Sequence, residues 1–397
     1  MRILIATVTA GGGHLAAAAA LDEAWRAFRP EDVVERLDLV KYFSPLHRTV
    51  HADGYVKLVQ HAPEIWGLMF KQTDDPERAR RLNRLRRLFP SNSRARFTRF
   101  LKQFQPDVVL CTHYLPLETL ALLKANDSRP RRRNALAKAA ARYNAKGLTP
   151  APLVVSIVTD FEAHALWMDP CVDLYCVATE DTKARLMARG VSAEAVVATG
   201  IPISTRFSMR LDPKALRKTF GLRDDLPVLL VLSGGFGMGP LAEILVELNK
   251  VDCPFQSVVV TGRNAELRRD LAAQDHKHPT HLLGYASNMQ ELMAVANLII
   301  TKPGGLTTSE ALASGKPLFI LNPISGQEAA NSDFLLERGA AAKVNRVEDL
   351  PYRLDRLLGS KKLVEMARAA RALGRPNAAH DVCAETVRRA KDGSLVR

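Results

Sequence analysis

No apolar run in the 397 residues approaches the roughly 20 needed to cross a bilayer as a helix, so no spanning helix is expected. Cysteine is scarce: Cys111, Cys171, Cys176, Cys253 and Cys383 are odd in number, scattered and without zinc-site spacing. They are expected to be buried, reduced thiols. Residues 2–8 are too short for the apolar core of a secretion signal and run straight into glycines, so no signal peptide is expected and the cytoplasm is the expected compartment. Aromatic residues make up only 6% of the chain. The phenylalanines fall on apolar helix faces and do not interleave with charges as a base-stacking platform would, which argues against a nucleic-acid partner. There is no short-period repeat and no low-complexity tail.

What is present is an ordinary globular composition, 47% hydrophobic and 25% charged. The length favours two domains, each able to bury a core. The net charge of +14 is concentrated: residues 71–150 carry 19 Lys and Arg against 6 Asp and Glu. A basic patch of that kind implies a polyanionic partner, whether a membrane surface, a nucleic acid or an acidic protein.

Residues 2–9 form a β-branched apolar run, broken by Gly11-Gly12-Gly13 and followed by an Ala-rich helical stretch to Phe28 and a second strand at 33–40. This is a βαβ unit. Further strands are expected at 107–112, 153–159, 174–178 and 195–199, and a second series at 228–233, 257–261, 281–283, 298–301, 317–321 and 341–344, with helices between. The reading is α/β, with two Rossmann-like, doubly wound domains. The expected bounds are 1–203, a linker at 204–211, a second domain at 212–375, and a final helix within 376–397 that returns to the first domain. The segment 40–105 breaks the alternation. It is helical, aromatic and arginine-rich, with Leu82, Leu85, Leu88 and Phe89, then Phe97, Phe100, Leu101 and Phe104, at helical spacing.

Five strand ends carry chemistry. Gly11-Gly12-Gly13-His14 opens a helix whose N-terminus favours anions; an imidazole at its mouth can take a hydroxyl proton near neutral pH. Gly11, Gly13 and Ala16 also fit the weak G-x-G-x-x-A dinucleotide pattern, with Asp38 where a ribose-binding acid would sit. The stretch from Ser233 to Pro240 offers Gly234, Gly235 and Gly237 as a backbone cradle for a diphosphate, or a purely structural turn. Lys302-Pro303-Gly304-Gly305-Leu306-Thr307-Thr308 precedes a helix expected to start at Ser309, with Glu310 able to accept from a ribose diol or simply to complement the helix dipole. Gln327, Glu328 and Asn331 follow a later strand and suit sugar hydroxyls, or mark an exposed helix start. Thr159-Asp160, with His164 and Trp167, lies at another strand end, where Asp160 is either functional or a helix cap.

Taken in order, these motifs make the chain resemble the monogalactosyldiacylglycerol synthases and bacterial processive diacylglycerol glucosyltransferases of glycosyltransferase family 28. The resemblance runs through Gly11–His14, Ala62-Pro63-Glu64-Ile65-Trp66, Gln105-Pro106-Asp107, Thr159-Asp160-Phe161, Ala178-Thr179-Glu180, Gly200-Ile201-Pro202, the 233–239 loop, the Thr301 to Glu310 stretch and the Gly326 to Asn331 stretch. It implies a GT-B fold, two domains facing a cleft, and an inverting transfer of a hexose from a UDP-sugar to a membrane lipid, diacylglycerol above all. His14 matches the family's catalytic histidine, with Asp160 the next candidate base. Glu310 matches the uridine-ribose position, Thr307 and Thr308 the diphosphate loop, and Gln327, Glu328 and Asn331 the sugar end. Gly12, Gly13, Trp66, His164 and Trp167 are expected on the acceptor side, and Arg80, Arg81, Arg84 and Arg87 on the surface that meets anionic lipid at the cytoplasmic face of the cell membrane. The resemblance implies no metal and no cofactor beyond the UDP-sugar co-substrate, and the chain has no D-x-D motif. The 302–307 loop is closer to the bacterial glucosyltransferases, which favours UDP-glucose and leaves UDP-galactose open. Competing readings are an NAD-dependent oxidoreductase, a nucleic-acid-binding protein and a non-catalytic UDP-sugar sensor.

Overall fold

The computed structural model describes residues 1–9, 11–43, 62–88, 92–127, 151–232, 240–321, 323 and 326–394. The chain divides into two compact units, Met1–Thr205 with Asn377–Arg397, and Arg206–Pro376.

The first unit runs β1 (Arg2–Thr7), α1 (Gly12–Phe28), β2 (Val33–Asp38), α2 (Pro63–Thr73), α3 (Pro76–Leu88), α4 (Asn92–Phe104), β3 (Val108–Cys111), α5 (Leu115–Asp127), β4 (Leu153–Ile157), β5 (Leu174–Val177), α6 (Glu180–Ala188) and β6 (Val196–Ala198). Among the described residues its sheet is parallel throughout, in the order β2-β1-β3-β4-β5-β6. The inner strands β1, β3 and β5 are apolar runs, because helices cover both faces of a parallel sheet. β2, at the edge, is only partly buried, with Val34 and Leu37 turned inward.

The second unit runs α7 (Pro213–Thr219), β7 (Val228–Leu232), α8 (Leu241–Leu248), β8 (Gln256–Val260), α9 (Ala265–Ala272), β9 (Thr280–Leu283), α10 (Met289–Val295), β10 (Leu298–Thr301), α11 (Gly305–Ala313), β11 (Leu318–Leu321), α12 (Gln327–Glu337), β12 (Ala341–Val344), α13 (Leu350–Leu357) and α14 (Lys361–Leu373). Its sheet is again parallel, in the order β12-β11-β10-β7-β8-β9. The chain then returns: α15 (Ala378–Ser394) packs on α1, with Ala379, Val382 and Cys383 in one core with Leu21, Ala24 and Trp25. Each buried side chain of leucine size contributes about 1.5–3 kcal/mol, so this seam ties the end of the chain to the first unit.

The two sheets differ in where their strand order reverses. In the second, β7 and β10 flank the reversal, the pattern of dinucleotide-binding sheets; in the first, β1 and β3 flank it. Ligands bind beyond the carboxyl ends of strands at such a point. The loops after β1, β3, β7 and β10 are therefore the places to look for function.

Candidate active site

In the first unit, the turn after β1 ends on Gly11, whose φ of 105° is open to glycine and strained for other residues. Gly11 is the N-cap of α1 and offers no side-chain cap; the first turn of α1 holds no acid. Among the described residues no N-cap side chain takes its leading N–H groups, which suit an anionic acceptor. His14 projects from this first turn. Its Nδ1 lies 2.8 Å from the Thr112 carbonyl, at the end of the neighbouring β3, and 3.1 Å from Thr159 Oγ1, at the end of β4. A carbonyl only accepts, so Nδ1 carries the proton and Nε2 carries the lone pair. Thr112 Oγ1 donates back to the His14 carbonyl at 3.1 Å. Burial of the ring pushes its pKa down to about 4, against the Thr112 hydrogen bond, which acts upward. The imidazole is therefore neutral throughout the physiological range.

Two more rings close around it. His113 stands edge-on to His14 at 4.7 Å and Trp167 lies 6.2 Å away, ring centroid to ring centroid. Asp160 directly follows Thr159 at the same sheet edge. His113 has no motif in the sequence to announce it; only the pairing of β1 with β3 brings it beside His14.

His164 has a different place from the one expected. Its Nδ1 accepts from the Leu166 N–H at 3.1 Å, and its Nε2 donates to the Phe70 carbonyl at 2.9 Å. Both nitrogens are thus occupied in pinning the 164–167 turn to α2, and burial holds its pKa below the usual histidine value. It positions the turn that carries Trp167. Asp74, just past α2, completes this clamp: it accepts from the Ala165 N–H at 2.8 Å and from Arg185 and Arg189 of the α6 region at 2.8 Å. Burial acts upward on its carboxyl, but the hydrogen bonds from Arg189 and the Ala165 N–H outweigh it and hold the carboxyl below the usual range.

With its C-terminal end clamped, α2 exposes Ile65, Leu68 and Met69, at 56%, 58% and 48% of their surface. Their i, i+3, i+4 spacing puts them on one face. Trp66 is half-buried on the same helix, next to Phe70. Arg80, Arg81 and Arg84 on α3 are exposed, with Arg81 3.5 Å from Glu77. The Arg87 side chain, and the basic stretch 129–146, lie outside the described residues.

In the second unit, Gly234, Gly235 and Gly237 also lie outside the described residues. The loop after β10 is described, and it corrects the expected helix start. α11 begins at Gly305, not Ser309, with Gly304 as an N-cap that has no side-chain cap and no acid in the first turn. Thr307 and Thr308 are therefore helical. Thr308 turns inward, fully buried, its hydroxyl without a partner among the described residues. Thr307 and Glu310, three residues apart, share the more open stripe. Glu310 has no hydrogen-bond partner among the described residues, and burial pushes its pKa up to about 7. A carboxyl in that state is short of donors, which a ribose diol would supply.

Asn331 also differs from expectation. It is fully buried, and its amide nitrogen donates to the Pro303 carbonyl at 3.0 Å. It holds the loop ahead of α11, while Gln327 and Glu328, on the first turn of α12, remain part-exposed. Gly326, the N-cap of α12, has a φ of 97° and no side-chain cap. Asp38, the ribose acid of the oxidoreductase reading, has both carboxylate oxygens engaged by Thr9 and the Val40 N–H.

The monogalactosyldiacylglycerol (MGDG) synthase family matches residues 14–203, and the glycosyltransferase family 28 C-terminal domain matches residues 228–382. The processive diacylglycerol beta-glucosyltransferase of Bacillus pumilus strain SAFR-032 is 30% identical over 366 residues, 92% of this chain and 88% of that protein. The protein of the same name from Bacillus licheniformis is 28% identical over 388 residues, 97% of this chain and 94% of that one. Among solved structures, MurG of Acinetobacter baumannii superposes with a TM-score of 0.55 at 16% identity, covering 98% of this chain and 99% of that one. HepE of Anabaena in complex with UDP-glucose gives 0.55 at 13%, covering all of both chains. The UDP-GlcNAc 2-epimerase of Neisseria meningitidis bound to UDP-GlcNAc gives 0.57 at 16%, covering 98% and 99%. At such identities the structures establish the GT-B fold, which transferases and an epimerase share; the sequence relatives decide the family. The chain belongs to the family of the monogalactosyldiacylglycerol synthases and processive diacylglycerol beta-glucosyltransferases, within glycosyltransferase family 28.

Proposed function

We propose that this chain is an inverting hexosyltransferase that moves glucose or galactose from a UDP-sugar to the hydroxyl of a diacylglycerol-type lipid at the cytoplasmic face of a membrane. The observation that carries the reading is His14. Its Nδ1–H is held by the Thr112 carbonyl, so a neutral Nε2, without a hydrogen-bond partner among the described residues, lies at the point where the first sheet reverses its order. In the proposed reaction Nε2 takes the proton of the acceptor hydroxyl as that oxygen bonds to the sugar C1. The bond from C1 to the diphosphate breaks, and UDP leaves with the electron pair. The uncapped N-terminus of α11 would favour the diphosphate charge, and Glu310 the ribose hydroxyls. Gln327 and Glu328 are the candidates for the sugar hydroxyls. Asn331 shapes the loop beneath the diphosphate.

The lipid side of the proposal rests on α2 and α3. No helix of the described residues is long and apolar enough to cross a membrane. An exposed apolar face beside exposed arginines suits a surface-lying mode in which Ile65, Leu68 and Met69 meet acyl chains and Arg80, Arg81, Arg84 and Arg87 meet anionic headgroups. Each engaged basic residue contributes about 1 kcal/mol. The test is mass spectrometry of the lipids of a heterologous host expressing the chain. A hexosyl lipid that accumulates with the wild type and is absent with His14→Ala supports the proposal; an unchanged lipid profile refutes it.

A further inference from the structure

We infer that His113 is a positioning residue for His14, fixing the plane of its ring and excluding water from it. This rests on the reading of His14 as the base. The geometry is specific. The carbonyl that takes the His14 Nδ1–H belongs to Thr112, and His113 is the next residue, so one short segment past β3 both holds and walls the base. The His113 ring meets the His14 ring edge-on, 4.7 Å between centroids at an interplanar angle of 80°. It is itself fixed on two sides: its Nδ1 accepts from the Leu115 N–H at 3.1 Å, at the start of α5, and it stacks on Tyr114 at 4.4 Å. Trp167 closes the triangle, 6.3 Å from His113 and 6.2 Å from His14.

His113 is only 6% exposed, so it has little freedom to leave. Accepting at Nδ1 leaves its N–H on Nε2 and fixes the ring's orientation against His14. Among the described residues, the groups against His14 are Thr112 and His113 from the end of β3, Thr159 just past β4, which Asp160 follows in the chain, and Trp167 from the turn beyond. Burial among these groups is what lowers the basicity of His14.

The test compares wild type, His113→Phe and His113→Ala, with His14→Ala as reference, all as the full chain. Histidine-selective NMR titration reads His14 without needing turnover. In His113→Ala, water enters beside the ring, and the His14 midpoint moves up from about 4 toward the ordinary histidine value of about 6.5. In His113→Phe, the edge contact and the dry wall persist and the midpoint stays low. Turnover follows the same split. At pH 8, where His14 is neutral in every variant, kcat falls at least about tenfold in His113→Ala through lost orientation. It recovers most of that in His113→Phe, and KM for the UDP-sugar is unchanged in both. The acid limb of the kcat profile rises in His113→Ala in step with the NMR midpoint.

An unmoved His14 midpoint in a folded His113→Ala protein overturns the inference. So does a His113→Phe protein, folded by circular dichroism, whose midpoint and kcat resemble those expected for Ala. Near-full activity of His14→Ala overturns the base reading instead, and the NMR result separates that failure from this one.

Discussion

Glu310 offers the sharpest consequence of the second unit's geometry. Its carboxyl is desolvated without a hydrogen-bond partner among the described residues, and its pKa rises from 4.5 to about 7. At about 1.36 kcal/mol per pH unit this is a cost of about 3 kcal/mol to the ionised, unliganded protein; screening at a part-exposed site reduces the expectation to about 1–2 kcal/mol. The sign follows from linkage. Below about pH 4.5 the group is protonated in folded and unfolded chains alike and costs nothing. Between 4.5 and about 7 the unfolded chain ionises first, so stability falls as pH rises, and above about 7 the full cost is present. Glu310→Gln should therefore raise the thermal midpoint at pH 8 by roughly 2–6 °C and leave it unchanged at pH 4. Binding runs the other way. Ribose hydroxyls donating to the carboxylate favour its charged form, so UDP-glucose should bind more tightly as pH rises, by up to about tenfold per pH unit between about 5.5 and 7, with a plateau above. UDP-glucose is the right ligand because its diphosphate does not titrate in that range. Calorimetry in two buffers of different ionisation enthalpy should show proton release on binding at pH 7. Glu310→Gln should weaken binding at pH 8 by about 1–3 kcal/mol and remove the pH dependence. A wild-type affinity flat from pH 5.5 to 8, with a Gln variant that melts like wild type at both pH values, would refute the reasoning.

His14→Ala should lower kcat by about 10²–10⁴-fold while UDP-glucose affinity, measured by calorimetry, is retained. Asp74→Ala leaves Arg185 and Arg189 without their shared carboxylate and frees the Ala165 N–H; urea denaturation should show a loss of about 1–3 kcal/mol at pH 7. Since the folded-state pKa of Asp74 is depressed, that contribution is present above its ordinary carboxylate pKa and fades in both proteins' difference as pH falls through the lower folded value. Liposome co-sedimentation should require phosphatidylglycerol and weaken as salt shortens the Debye length from about 10 Å at 0.1 M to 3 Å at 1 M. Replacing Arg80, Arg81, Arg84 and Arg87 by Gln, or Ile65, Leu68 and Met69 by Ser, should each release the protein with UDP binding intact; equal sedimentation of either variant would remove that group from the docking surface.

The twelve strands of the described residues were legible because a parallel sheet covered on both faces writes itself as short apolar runs, and β1, β3, β7 and β10 are almost wholly apolar. Helix starts were harder. Ser309 reads as the helix start, yet α11 begins at Gly305, because Pro303 and Gly304 already set the turn and residues 305–308 accept helical angles. That four-residue difference moves Thr308 from a ligand-facing loop into the core. Strand order was not readable at all, and with it went His113, which is an unremarkable histidine until β3 is known to lie beside β1. His164 reads in the sequence as an acceptor-side residue and not as a clamp, since its partner Phe70 is 94 residues away. The apolar face of α2 is written in the sequence as Ile65, Leu68 and Met69 at helical spacing, but their exposure is not, because the same spacing also marks a core-facing stripe.

The most direct test is turnover by the purified chain on liposomes of diacylglycerol and phosphatidylglycerol, supplied in parallel with UDP-glucose and UDP-galactose, with product identity and anomeric configuration read by mass spectrometry and NMR. The account predicts a β-linked hexosyl diacylglycerol from at least one donor, with UDP released in equal amount and the product lost in His14→Ala. An α-linked product, or hydrolysis or epimerisation of the donor with no glycolipid formed, would contradict it.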